Sequence, residues 1–400
     1  MCDNGTTTEC AVYYRGWEEW VSGIDDLMAV QRRWEQVSIR TRPSIWAYGF
    51  VAGRNWCINQ LQRARSIKFE SVWDNEMTSL RERFKIDISN AINLERFECE
   101  DKTTRTMTLC ISKGARLPKL TRLSIQGYHY DRSPPQTPTI NDFSKIAECM
   151  PPLEELDLRF PMIQENQRPK SVFRISTLRK LVLRIDVFAR YHWIIEPIRE
   201  FFHHVEFPSL QILELDLIDR AGEADILSSI TSMLHRSNAK IKVLQICNDS
   251  WSERLEDVYK FLESLPTVHK LIIGGHLIHG WGLLERLNAN TDGPVLLPLL
   301  QTLAYLHPWS DFNPLSLFGL FLLSRSPPDG EDYPPEADEK ETENEDTVIP
   351  LSRSGTSVLR KVIIDRRNTR WPECWEAKRL IEKSTVVADL HRRGLVFEEL

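Results

Sequence analysis

The chain has 400 residues, more than one compact core usually supports, so a globular reading needs two or three domains whereas stacked repeats need one elongated body. A hydrophobic content of 42% and twelve Trp mark a folded chain, and no stretch approaches the roughly 18 consecutive apolar residues of a membrane span. The net charge of −6 is uneven: Glu331 to Asp346 holds nine acidic residues against Lys340, which leaves the body at +2, without the clustered Lys and Arg that nucleic-acid binding by counterion release requires.

Residues 1–33 are rich in aromatic and apolar side chains spaced by polar ones, among them Tyr13, Trp17, Trp20, Ile24 and Leu27, which predicts an amphipathic helix from about Gly16 to Arg32. Its expected role is an N-terminal helical cap, since a solenoid needs its terminal core covered by an element with a polar outer face. No basic start followed by an apolar core opens the sequence, so the expected compartment is the cytoplasm or nucleus. The eight cysteines contain no C-x-x-C pair, which argues for reduced thiols and against a disulfide framework or a zinc site.

From Trp34 a frame recurs, clearest at Phe207-Pro208-Ser209-Leu210-Gln211-Ile212-Leu213-Glu214-Leu215: an apolar residue, Pro, a spacer, then Leu-x-x-Leu-x-Leu. Copies with the proline continue from Leu117-Pro118, Met150-Pro151, Leu265-Pro266 and Leu297-Pro298, and copies without it start at Trp34, Ala64, Leu94, Leu178, Ile241 and Leu359. Starts lie 25 to 33 residues apart until the last gap of 59, a solenoid period. The expectation is an α/β leucine-rich-repeat solenoid of about eleven irregular repeats, a curved parallel sheet with outer helices, over residues 34–325 and again at 351–400. Helical returns are expected at Tyr191 to His204, Glu223 to His235, Ser252 to Leu262 and Leu315 to Leu323, from three-to-four residue apolar spacing. Proline falls where a helix must end and the chain rejoin the sheet. Residues 326–350 lack apolar spacing and are rich in Pro, Asp and Glu, so they read as an acidic disordered insertion, and the run from Trp371 to Gly394 as a C-terminal cap.

In a repeat starting at residue p, positions p, p+3 and p+5 point inward, so p+2, p+4 and p+6 face outward on the concave side of the sheet. For the first five repeats these are all polar, from Gln36 and Ser38 to Asp157 and Arg159; an apolar strip enters at Val182 and dominates from Val243 to Leu306. An apolar strip on a face that should meet water is either covered by the chain itself or reserved for a partner. The predicted partner-binding residues are Val243, Gln245, Ile272, Thr302, Leu306 and Ile363, flanked by Lys270 and Lys361.

Catalytic signatures are missing from the sequence: no phosphate loop, no Gly-x-Gly-x-x-Gly after a strand, no Gly-x-Ser-x-Gly elbow and no His-Glu-x-x-His. His276 and His279, three apart after a strand, are the nearest thing to a metal pair, but no third ligand stands at a recognisable spacing. The expectation is a non-enzymatic protein-interaction module with no cofactor and no metal.

The repeat frames, the start Arg33-Trp34-Glu35-Gln36-Val37-Ser38-Ile39 and the closing Asp389-Leu390-His391-Arg392-Arg393-Gly394-Leu395 resemble the leucine-rich-repeat part of F-box/leucine-rich-repeat proteins, over roughly residues 31–400. No Leu-Pro-x-Glu-type F-box helix is visible in residues 1–33, and the Asn or Cys that usually follows the repeat strand is mostly missing. The resemblance implies the substrate-recognition part of an SCF-type ubiquitin ligase receptor, which binds a protein partner on its concave face and docks to the cullin-ligase adaptor; the alternative is a free-standing scaffold. Neither nucleic acid nor membrane is an expected partner, and the chain is expected to act as a monomer.

Overall fold

The computed structural model describes residues 36–41, 64–71, 84–89, 91–101, 107–110, 114–127, 148–160, 172–186, 195–218, 223–248, 255–275, 281–288, 295–306, 321–327, 357–365 and 385–399. It is an α/β protein whose sheet strands pair in parallel, and it divides into two compact units, Met1–Asp186 with Tyr191–Leu210 and Val187–Arg190 with Gln211–Leu400.

In the first unit the sheet order is β1 (Gln36–Thr41), β2 (Ser66–Ser71), β4 (Arg96–Asp101), β6 (Arg122–Gly127), β7 (Glu155–Phe160) and β9 (Lys180–Asp186). Gln36 pairs with Ser66, Ser66 with Arg96, Arg96 with Arg122, Arg122 with Glu155 and Glu155 with Lys180. Each is the same frame position, two residues past the start of its copy, so the pairing register follows the spacing of the apolar frames. The physical reason is that a one-residue slip would turn every buried leucine to the open face.

The second unit runs β11 (Ile212–Ile218), β12 (Val243–Asn248), β13 (Lys270–Gly275), β14 (Thr302–Leu306), β15 (Lys361–Asp365) and β16 (Val396–Glu399). Ile212, Val243, Lys270, Thr302, Lys361 and Val396 pair in succession. Between the strands lie α2 (Glu223–Ser237), α3 (Leu255–Glu263) and α4 (Trp281–Leu287), the first two near the expected bounds, and α1 (Ile195–His203) precedes them in the first unit. On α2 the buried residues Ile226, Leu227, Ile230, Met233 and Leu234 form one stripe, and with Leu213, Leu215, Leu244, Ile246, Leu271 and Ile273 of the strands they make the core. Phe321 to Ser324 are helical, the described part of the helix expected at Leu315 to Leu323.

Two local devices repeat along the sheet. The apolar-Pro frame forms an i to i+3 turn: the amides of Leu120, Leu153, Leu210, Val268 and Leu300 donate to the carbonyls of Leu117, Met150, Phe207, Leu265 and Leu297 at 3.0 to 3.3 Å. Proline sits at the second position of this turn, which its fixed φ suits and where no amide is needed, so the turn uses it more directly than helix termination does. Just before β4, β6, β7, β9 and β12 to β15, two successive amides share one carbonyl from the start of the neighbouring strand: Glu95 and Arg96 donate to Arg65, Thr121 and Arg122 to Glu95, Lys242 and Val243 to Gln211, His269 and Lys270 to Lys242. The backbone amides at these strand starts are thereby satisfied in the sheet itself.

The return segments are not helical in every copy. In the first unit β3 (Phe84–Asp87) pairs in parallel with β5 (Met107–Cys110), and β8 (Phe173–Arg174) with β10 (Val205–Glu206). Strands of two to four residues are too short to leave a periodicity in the sequence. A further strand, β16, follows α5 (Thr385–Arg392) where only a cap was expected; Gly394, at φ 110°, takes the left-handed turn that ends the helix, and Leu395 is buried behind it.

The long gap between the frames at Leu300 and Leu359 is bridged within the sheet. Arg325 is buried, and its guanidinium donates Nε to the Leu287 carbonyl at 3.1 Å, Nη1 to Leu297 at 2.9 Å and Nη2 to Leu296 at 2.7 Å. Its own carbonyl accepts the Leu359 amide at 2.9 Å, and Ser357 donates both amide and hydroxyl to the Pro298 carbonyl. Ser326 and Pro327 are buried as well. The N-terminal cap of residues 1–33, the acidic stretch from residue 328 to 350 and the pair His276 and His279 lie outside the described residues. Among the described residues no helix is long and apolar enough to cross a membrane.

Candidate partner-binding face

Alternation along β11 to β15 puts Leu213, Leu244, Leu271, Leu303 and Val362 in the core, at 0 to 1% exposure, and their neighbours on the opposite face. Seven of the eight predicted partner residues stand on that second face, and Leu306 is placed by its backbone register alone. Register gathers them into rows across the strands. Val243, Lys270, Thr302 and Lys361 are successive partners in the first row; Gln245, Ile272, Ala304 and Ile363 form the second; Cys247, Gly274, Leu306 and Asp365 the third.

Their accessibility is not uniform. Val243, Gln245, Lys270, Ile272, Thr302 and Lys361 are partly exposed, whereas Ile363 is 6% exposed and its register neighbour Ala304 2%. The side chain of Leu306 is outside the described residues. The accessible part of the predicted strip is therefore the patch on β12, β13 and β14, with the small residues Ala304 and Gly274 beside Ile272 lowering the surface next to it.

The two flanking lysines are in different states. Lys361 Nζ lies 2.6 Å from Glu398 Oε1, a partner on β16. Lys270 has no ion pair among the described residues. Immediately before the strands stand Gln211, Lys242, His269, Gln301 and Arg360, and the Nδ1 of His269 and Nε of Arg360 are buried without a hydrogen-bond partner among the described residues. Burial holds the His269 imidazole below its ordinary value of 6.5; the nearby Thr267 backbone opposes this, and the Lys242 charge adds to it.

The same face of the first unit is polar and largely matched within itself. Arg122 Nε stands 3.4 Å from Glu98 and 3.5 Å from Glu155, one on each neighbouring strand. Asp157 Oδ2 accepts from Gln126 Nε2 at 2.7 Å and from Ser124 Oγ at 3.1 Å, with Arg184 Nη2 at 3.8 Å. Val182, where the apolar strip was expected to begin, is 9% exposed beside this network.

Sequence reasoning placed the rows but missed three things. Glu398 was invisible because the frame of β16 starts at Gly394, where the others start at an apolar residue. The basic positions before the strands fall between the inward and outward sets, and nothing in the sequence sets Ala304 apart from the rest of the apolar strip. No cluster of three or more His, Cys, Asp or Glu positioned to hold a metal ion occurs among the described residues.

No protein-family model matches the chain, and no curated protein matches its sequence.

Proposed function

We propose that the chain is a leucine-rich-repeat solenoid and a protein-interaction module without catalytic activity, which acts as a monomer and takes its partner on the outward face of β12 to β14. One contrast carries this reading. Where the first unit fills the outward rows with ion pairs around Arg122 and Asp157, the second leaves apolar Ile212, Val243 and Ile272 half-exposed on hydrogen-bonded strands. Burying such a patch gains roughly 25 cal/mol per Å² and costs little ordering, because the strands already hold it in place.

The resemblance to F-box/leucine-rich-repeat proteins favours a substrate receptor of a cullin ubiquitin ligase as the biological form of that module. Immunoprecipitation of the full chain and of a chain lacking residues 1–33 tests it. Recovery of the cullin adaptor with the first and not the second supports the receptor; absence of the adaptor from both, with other partners retained, leaves a free-standing scaffold. A stoichiometric transition metal in the purified chain, lost when His276 and His279 are both changed to Ala, would overturn the non-catalytic reading altogether.

A further inference from the structure

We infer that the partner segment seated on β12 and β13 is acidic as well as apolar, a peptide stretch of another protein whose carboxylate is held by Lys242 and Lys270 while an apolar side chain beside it packs on Val243 and Ile272. This rests on the assignment of that face to partner binding and specifies its occupant.

Charge is unevenly placed around the apolar patch: Glu214 and Asp216 of β11 border it in the second and third rows, beside Gln245 and Cys247, while its edge at the strand starts is basic. In the second unit no acidic residue occupies the position before a strand, from Gln211 through Lys242, His269 and Gln301 to Arg360, and none occupies the first position of β11 to β15. At the corresponding positions of the first unit, acids are interspersed and answer the bases: Arg65 faces Glu95 at 3.9 Å, and Arg122 lies 3.5 Å from Glu155. The acid-free edge is thus a local property of the second unit rather than of the frame.

Within that edge the cations are not equivalent. Lys361 is neutralised by Glu398, whereas exposed Lys242 and half-exposed Lys270 have no ion pair among the described residues. Lys270 is bracketed in register by Val243 and Thr302 and is followed two residues later by Ile272. Residues two apart on a strand share a face and stand about 7 Å from each other. A ligand that meets both presents a carboxylate about 7 Å from an apolar side chain, a spacing available two residues apart in an extended peptide. A basic or purely apolar segment would leave Lys242 and Lys270 desolvated beside Val243 without a counter-charge, which interfaces avoid.

Selection from a displayed library of random twelve-residue peptides against the full chain tests the inference, with the selected peptides then synthesised and their affinities measured. The expected result is enrichment of peptides carrying Asp or Glu next to an aliphatic or aromatic residue. Lys242→Glu with Lys270→Glu should weaken the selected peptides roughly tenfold or more and turn a repeated selection toward basic peptides, and raising salt should weaken binding to the unmodified chain. Both lysines are exposed or half-exposed, so the variant should keep the parent melting temperature; Lys242→Gln with Lys270→Gln is the milder form if it does not. Peptides that lose binding on Ile272→Asp but show no acidic enrichment would overturn this inference and leave the binding face intact. Acidic-apolar peptides indifferent to Ile272→Asp would overturn the face itself, and a selection that yields no binder contradicts both.

Discussion

The Arg325 guanidinium holds the carbonyl of Leu297, a residue at φ 49°, with an Nη1 to oxygen distance of 2.9 Å. Leu297 opens the turn that leads into β14, and a positive φ is costly for a residue that carries a Cβ, so a strong partner on the carbonyl helps to hold that conformation. Burial pushes the Arg325 pKa down to about 10, so the side chain stays charged at neutral pH and its three carbonyl bonds remain charge-assisted.

Replacing Arg325 with Met should therefore cost about 2–4 kcal/mol: the lost bonds to Leu287, Leu296 and Leu297 outweigh the relief of no longer burying a charge. Arg325→Lys should recover little of it, since an ammonium cannot span three carbonyls in the guanidinium plane. Urea denaturation followed by circular dichroism measures both. Parent-like midpoints for the two variants would show that the buried guanidinium contributes nothing net.

His269 should make the fold sensitive to mild acid. Its folded-state pKa lies below the ordinary 6.5, so the unfolded chain takes up the proton first as pH falls. The stability this histidine contributes is present above about pH 6.5 and is lost as pH falls through the lower folded value. The melting temperature of the parent should consequently drop further between pH 7.5 and pH 5 than that of His269→Gln. Equal drops would place the acid sensitivity elsewhere.

The polar face of the first unit should respond unevenly to substitution. Arg122 and its carboxylate neighbours are about a third or more exposed, so Arg122→Ala should cost under about 1 kcal/mol. The Asp157 side chain is 15% exposed and accepts bonds from Ser124 and Gln126, so Asp157→Ala should cost about 1–2 kcal/mol by stranding those donors. Differential scanning calorimetry on the two variants checks the order; a larger loss for Arg122→Ala would mean that the ion pairs, rather than the Asp157 hydrogen bonds, organise this face.

The sheet was legible because a single period-two rule fixes both the core and the register. Once Leu213, Leu244 and Leu271 must be buried, Ile212, Val243 and Lys270 fall opposite one another with no further choice. The longer helices were legible for the same reason at period 3.6, as the stripe on α2 illustrates. Arg325 was not, because a buried arginine satisfied by carbonyls leaves no apolar pattern and stands next to a stretch that reads as disordered. The candidate face was half legible: alternation gave its residues, while the burial of Ile363 and Ala304 and the neutralisation of Lys361 by Glu398 depend on neighbouring strands that no local pattern announces.

The central claim, that the second unit binds a protein partner through β12 to β14, is tested most directly by Ile272→Asp. Ile272 faces outward between buried Leu271 and Ile273, so the carboxylate should disturb the patch and leave the core alone. Affinity purification from cells with quantitative mass spectrometry, run beside thermal melting of the same proteins, should show the partners of the parent chain depleted at least tenfold while the melting temperature stays within a few degrees. Retention of every partner by a folded Ile272→Asp chain would contradict the claim, and so would unfolding of the variant, which would make Ile272 part of the core rather than of a binding face.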